Sequence, residues 1–179
     1  MFWLKLAGGI VAALVLIVAA IYAIGSVLPR EHRVVRRVVL KTADADAVWA
    51  RIADPVSTPN WRKSVTAVKR LEDRGSHAVW AEESGGDTTA YETLEAVPPR
   101  LLVRKVVDQT MYGGTWWIEI ASMAAGGVAV TVTEDGWVDA PIFRALARFV
   151  FGYASTAESY LSDLTVSFDM EASVEKIEG

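Results

Sequence analysis

Glu134 is the residue best placed to do chemistry. It continues the series Val128, Val130 and Val132 at a spacing of two. Residues two apart on a strand share a face, so the alternation aims this carboxylate at an apolar interior near a strand end. There it can serve as an acid, a base or a hydrogen-bond partner for a ligand. A bulge or the strand end would instead return it to solvent. Asp135 and Asp139 read as turn or surface residues.

Aromatic side chains surround this position in the sequence. Of seven tryptophans, Trp3 reads as a membrane-interface anchor, and Trp49, Trp61, Trp80, Trp116, Trp117 and Trp137 lie beyond the first 40 residues. Each is either core packing or a cavity wall. Trp116 and Trp117 are adjacent on a strand and point to opposite faces. The inward set is most simply Trp116, Ile118 and Ile120, with Trp117 outside. Tyr153 lies on an apolar helical stripe with Phe149, and its hydroxyl needs a partner if buried. Tyr112, in a Met-Tyr-Gly-Gly stretch, is a gate or an ordinary loop aromatic. Arg62 and Lys63 beside Trp61 form a solvated loop or a headgroup contact. The candidate ligand-binding set is Trp49, Trp61, Trp116, Ile118, Val130, Val132, Glu134, Phe149 and Tyr153.

Other reactive groups are scarce. The chain has no cysteine and only two histidines, His32 and His77. Thiolate catalysis, disulfides and cysteine–zinc sites are excluded. A histidine metal cluster or a Ser-His-Asp triad lacks members. The glycine pairs read as turns, not as a phosphate cradle. No metal and no cofactor are implied, and no nucleophile, base and orienting group assemble, which leans away from an enzyme. Net charge is −4, unevenly divided: residues 1–74 carry 12 Lys/Arg against 6 Asp/Glu, residues 75–179 carry 6 against 16. The acidic half offers no basic stripe for phosphates, which argues against nucleic acid.

The elements that must position these residues follow from periodicity and punctuation. The valine-rich stretch 33–41 reads as a strand. A helix capped by Thr42 or Asp44 turns Ala45, Val48, Trp49 and Ile52 to one face and stops at Asp54-Pro55. A short helical or turn segment holds Ser57 to Trp61. Strand-like runs follow at 65–71, 77–83, 88–97, 101–107, 115–123 and 128–138, separated by Gly and Pro, as in an antiparallel meander. From Pro141, apolar residues at helical spacing (Ile142, Leu146, Phe149, Tyr153, Ala157, Tyr160, Leu164, Phe168) predict one long helix, with Gly152 as a bend or close approach. Residues 170–179 read as an acidic, frayed tail.

The segment 6–28 contains no charge over 23 positions. At ~1.5 Å per residue it reaches ~34 Å, enough for a hydrocarbon core of ~30 Å. A signal peptide has a shorter apolar region of ~7–15 residues and a small-residue cleavage site; this run is longer and no clean site follows. The expectation is a single-pass anchor over residues 1–29. Arg30, Arg33, Arg36, Arg37 and Lys41 follow the span against Lys5 before it, which places the domain in the cytoplasm. Four extended residues reach at most ~14 Å, so residues 30–169 must sit almost on the bilayer.

This order resembles the START-like SRPBCC superfamily, which includes polyketide cyclase/dehydratase-type proteins. The carrying residues are Ala47–Pro55 (AVWARIADP), Pro59, Trp61, Pro98-Pro99-Arg100, Gly114-Thr115-Trp116 and Thr133–Gly136 (TEDG), closed by the terminal helix. The resemblance implies an α+β helix-grip fold around a hydrophobic pocket. It makes a membrane-tethered module for a lipophilic small molecule or lipid the leading expectation. The alternatives are a cyclase, dehydratase or hydrolase-like enzyme using Glu134, and a filled-core membrane scaffold.

Overall fold

The computed structural model describes residues 2–177, with side chains from Ala7 onward. Trp3 and Lys5, read above as flanks of the span, lie outside the described side chains. Helix α1 runs Phe2–Val27. Its segment Ala7–Val27 has mean hydropathy 2.7, is almost wholly exposed, and is long and apolar enough to cross a bilayer.

Strand β1 (Glu31–Leu40) follows after three residues. Helix α2 (Ala45–Ala53) starts where the Asp44 carboxylate accepts from the Ala47 amide at 2.7 Å, satisfying a free first-turn donor. Asp54 repeats the device at 3.0 Å on Val56 and opens a 3₁₀ turn, Pro55–Asn60. Strands β2 (Val65–Arg70), β3 (Val79–Ser84), β4 (Asp87–Val97), β5 (Leu101–Val107), β6 (Tyr112–Ser122) and β7 (Val128–Val138) then form an antiparallel meander.

Pairing register stacks apolar residues in rows on the inner face. Val38, Val130 and Ile120 make one row, and Val132, Ile118 and Leu102 the next. Glu134, Trp116 and Arg104 continue the same face towards the sheet's open end. Helix α4 (Ser155–Val166) lays Ala157, Tyr160, Leu161 and Leu164 into this concavity, and α2 adds Val48 and Ile52. Burying an aliphatic side chain contributes roughly 1.5–3 kcal/mol, so these rows hold the helix in its grip. The fold is the expected α+β helix-grip arrangement.

Three expectations change. The long terminal helix is broken. It runs as α3 (Pro141–Leu146), a π turn (Ala147–Phe151), a stop at Gly152 and then α4. Gly152 has φ +79°, which a side chain would resist. Before the break, the apolar stripe no longer faces the sheet at Phe149, whereas Ala157, Tyr160 and Leu164 after it do. The tail expected to fray is instead placed against the domain through residue 177. Met170, Ala172 and Val174 pack on the core, and β8 (Glu175–Lys176) pairs with Arg36 and Arg37, completing an eight-stranded sheet in the order β2-β3-β4-β5-β6-β7-β1-β8. Acidic residues alternate there with apolar ones, so one face can bury. Finally, Gly113 and Gly114 are not a turn but part of β6. A β-carbon on Gly114 would lie 2.8 Å from the Asp135 carbonyl oxygen, and one on Gly113 would strike the Trp137 ring.

Candidate functional site

A cavity of about 150 Å³ lies between the open end of the sheet and α4. Each wall comes from strand alternation. Trp80 and Glu82 are two apart on β3, Tyr91 faces Trp80 from β4, and Arg104 and Val106 are two apart on β5. Trp116 and Ile118 on β6 and Glu134 on β7 complete the sheet side, and Tyr160 of α4 closes it. Arg62, just after the 3₁₀ turn, reaches in from the side. Tyr112, Gly113 and Gly114 lie at the rim, where the Tyr112 hydroxyl and Thr89 Oγ1 are 2.8 Å apart.

The charges comprise one ion pair and one arginine held by backbone carbonyls. Arg62 Nη1 approaches Glu82 Oε2 at 3.3 Å, and Glu82 Oε1 accepts from Trp80 Nε1 at 3.1 Å. Arg104 is buried, donates from Nη2 to the Ile52 and Ala53 carbonyls at 2.8 and 3.3 Å, and sits 4.7 Å from the Trp80 ring centroid. Those carbonyls end α2, where the helix dipole favours a cation. Burial pulls the Arg104 guanidinium down from its ordinary value. Burial pushes the Tyr160 phenol up to about 12, although the guanidiniums of Arg104 and Arg62 pull the other way. Burial, seconded by Glu82, also raises Tyr91. Both phenols therefore stay protonated at neutral pH and can donate.

Four residues that line the cavity carry a polar atom buried without a hydrogen-bond partner among the described residues: the Tyr160 hydroxyl, Glu134 Oε2, Arg62 Nε and Arg104 Nε. Buried polar groups in folded proteins are nearly always satisfied. Behind Glu134, His32 Nε2 stands 3.8 Å from Oε1 and stacks on Tyr153 at 4.3 Å between centroids.

Of the candidate ligand-binding set, the structure brings Trp116, Ile118 and Glu134 together on the cavity. The alternation of β7 thus does turn Glu134 inward. Val130, Val132 and Trp61 are buried in the core, Trp61 edge-on to Tyr160 at 5.1 Å, and Trp49 packs partly against it. Tyr153 lines a separate outer groove. Phe149 corrects the expectation: it is exposed on the π turn, turned away by the break at Gly152. Trp117 is on the opposite face from Trp116, between Val103 and Thr133, as its parity requires. Sequence reasoning missed Arg62, Glu82, Arg104 and Tyr160 as site residues. The parity of Leu102, Arg104 and Val106 carried a signal for Arg104, since it places a cation on an otherwise apolar face. Among the described residues no cluster of three or more His, Asp or Glu could hold a metal ion.

A family model described as polyketide cyclase / dehydrase and lipid transport matches residues 31–171. The chain belongs to that family. Solved structures share its fold. The ZhuI aromatase/cyclase from Streptomyces sp. R1128 is 16% identical with a TM-score of 0.60, over 75% of this chain and 89% of its own. A START superfamily protein from Mycobacterium smegmatis is 16% identical with a TM-score of 0.58, over 77% and 97%. The ginseng major latex-like protein 151 from Panax ginseng is 14% identical with a TM-score of 0.56, over 79% and 97%. No curated protein matches the sequence. At these identities the family's START-like fold is shared, and the site must be read from its own side chains.

Proposed function

We propose that this protein is a membrane-tethered binding module for a compact, ring-bearing lipophile that carries a hydrogen-bonding oxygen. The observation that carries this reading is a 150 Å³ aromatic cavity lined by side chains with partnerless polar atoms, the Tyr160 hydroxyl and Glu134 Oε2 beside the Nε atoms of Arg62 and Arg104. A cavity of about this volume accepts a benzene ring. Trp80, Tyr91 and Trp116 supply flat apolar walls, and Tyr160 supplies a donor for a ligand hydroxyl or carbonyl. A long-chain lipid would need the space to widen. In this reading α1 is a retained span, and the arginines and Lys41 after it keep the domain in the cytoplasm. The three residues between α1 and β1 then hold the cavity beside the bilayer.

The test is calorimetric titration of the full chain, in nanodiscs, with 2-naphthol as a ring-plus-hydroxyl probe. Saturable one-site binding is expected, and Thr156→Phe, a bulky ring at an exposed cavity-lining position of α4, abolishes it. Only non-saturable partitioning, equal in wild type and Thr156→Phe, would sink the proposal.

One observation favours a second reading, an acid/base enzyme of the same family. Glu134 lines the cavity, its Oε2 has no partner among the described residues, and His32 Nε2 stands 3.8 Å from its Oε1. Turnover of an aromatic polyketide or ester panel that disappears in Glu134→Gln would support it. Unchanged turnover in that variant would remove it.

A further inference from the structure

The break at Gly152 leaves an apolar surface that the cavity does not explain. Phe149, Val150 and Phe151 are consecutive and 68%, 65% and 66% exposed, and Phe143 one helical stretch earlier is also exposed. Contiguous large apolar side chains on a surface mark an interaction site. Arg148 adjoins them and makes no ion pair among the described residues.

The position of α1 says what meets this surface. Helix α3 packs against the last two turns of α1. Ile21 and Gly25 of α1 and Leu28 just after it lose exposure there, spaced four and three apart. The contact is backbone to backbone, since a β-carbon on Gly25 would overlap the Pro141 carbonyl. Arg144 Nη1 fastens the junction by donating to the Leu28 carbonyl at 2.9 Å. Ile21 to Leu28 covers seven helical steps, about 10 Å along the axis. If Ala7–Val27 spans a bilayer, those 10 Å lie at its boundary, and α3 with the π turn lies at the same depth.

We propose that the α3–π segment is a second membrane-seating element, with Phe143, Phe149, Val150 and Phe151 embedded in the interfacial layer of the bilayer beside the span. This rests on the reading of α1 as a span. Charge agrees with the occupant. The groove behind the segment, about 690 Å³, is lined by Arg33, Arg36, Arg148 and Lys176. Arg33 and Arg36 are paired with Asp135 and Glu158. Arg148 and Lys176 make no ion pair among the described residues and remain for anionic headgroups, which attract such cations near the surface. An interfacial segment with an apolar face and basic flanks is the form that lies in the plane of a membrane. The span and the segment together give the domain two attachments, which fixes its tilt as well as its distance.

The absence of cysteine makes the test direct. Full chain carrying Val150→Cys, labelled with a polarity-sensitive fluorophore, is reconstituted into phosphatidylcholine–phosphatidylglycerol vesicles containing lipids brominated near the headgroup end or deep in the chain. Phe149→Cys repeats the measurement should Val150→Cys express poorly. Leu16→Cys reports the span. Val56→Cys, on the 3₁₀ turn beside β2 at the opposite sheet edge, is the aqueous reference. The expected result is quenching at Val150 by shallow bromines several-fold above Val56, with Leu16 quenched by deep bromines. Quenching at Leu16 with Val150 no different from Val56 overturns the seating and leaves the span intact. A blue-shifted Val150 label that bromine does not quench also overturns it, and assigns the patch to a second copy or another protein. No quenching at either Leu16 or Val150 overturns the span and the seating together.

Discussion

Tyr160→Phe separates stability from binding. The change keeps a ring between Trp61 and Trp116, whose centroids stand 5.1 and 5.5 Å away, and deletes one hydroxyl. That hydroxyl is buried without a partner, a condition that costs roughly 1–3 kcal/mol. The variant is therefore expected to be more stable than wild type by about 1–2 kcal/mol, a rise of about 2–4 °C in Tm per kcal/mol for a chain of this size. Binding moves the other way. Losing one neutral hydrogen bond of about 1 kcal/mol weakens 2-naphthol roughly fivefold.

The same residue predicts a response to alkali. Burial holds the folded-state Tyr160 phenol up at about 12, above its unfolded value near 10. Its contribution is intact below pH 10 and is lost as pH climbs towards 12, because the unfolded chain ionises first. Two units correspond to about 2–3 kcal/mol. Tyr160→Phe removes this part of the alkaline loss, and Tyr91, raised for the same reason, leaves a remainder. The assay is thermal unfolding of the full chain in micelles between pH 7 and 12. If Tyr160→Phe lowers stability at pH 7 by more than about 1 kcal/mol, the hydroxyl has a structural partner and the reasoning about an open donor fails.

Other perturbations test the remaining parts. Arg62→Met strands the buried Glu82 carboxylate with only the Trp80 bond and should cost about 2–4 kcal/mol, whereas Arg70→Met, from an exposed pair with Asp73, should cost under about 0.5 kcal/mol by the same unfolding curves. Gly25→Val must separate α1 from α3, because the clash is with backbone. Hydrogen exchange in nanodiscs should show amides of α3 and the π turn losing protection while β5 to β7 keep theirs. Gly152→Ala meets no atom within 4 Å, so its cost is purely conformational, about 1–3 kcal/mol in urea unfolding. A cost near zero would mean that the break relaxes into continuous helix.

Much of the fold was legible because its signals are local. The helix cap at Thr42 or Asp44, the stop at Asp54-Pro55, the Gly and Pro breaks and the valine alternation each act within a few residues, and they place the strands to within a few positions. The tail was misread because its composition is acidic, yet Met170, Ala172 and Val174 share one face. The long helix was misread because a hydrophobic stripe does not report the φ of Gly152. The site was half legible. Trp116, Ile118 and Glu134 follow from the period of single strands, whereas Arg62, Glu82 and Tyr160 come from a loop, an early strand and the last helix.

The sequence by itself determined the long apolar N-terminal helix, the α+β order and the face to which Glu134 points, since each depends on spacing along one segment. Only the tertiary structure decided what that face encloses. Sheet register and the docking of α4 bring Arg62, Glu82, Arg104 and Tyr160 around one small volume. The backbone break at Gly152 leaves Phe149 out of it and exposed, on the turn that follows the helix packed against α1. Both outcomes depend on contacts between residues far apart in the chain, which no local pattern records.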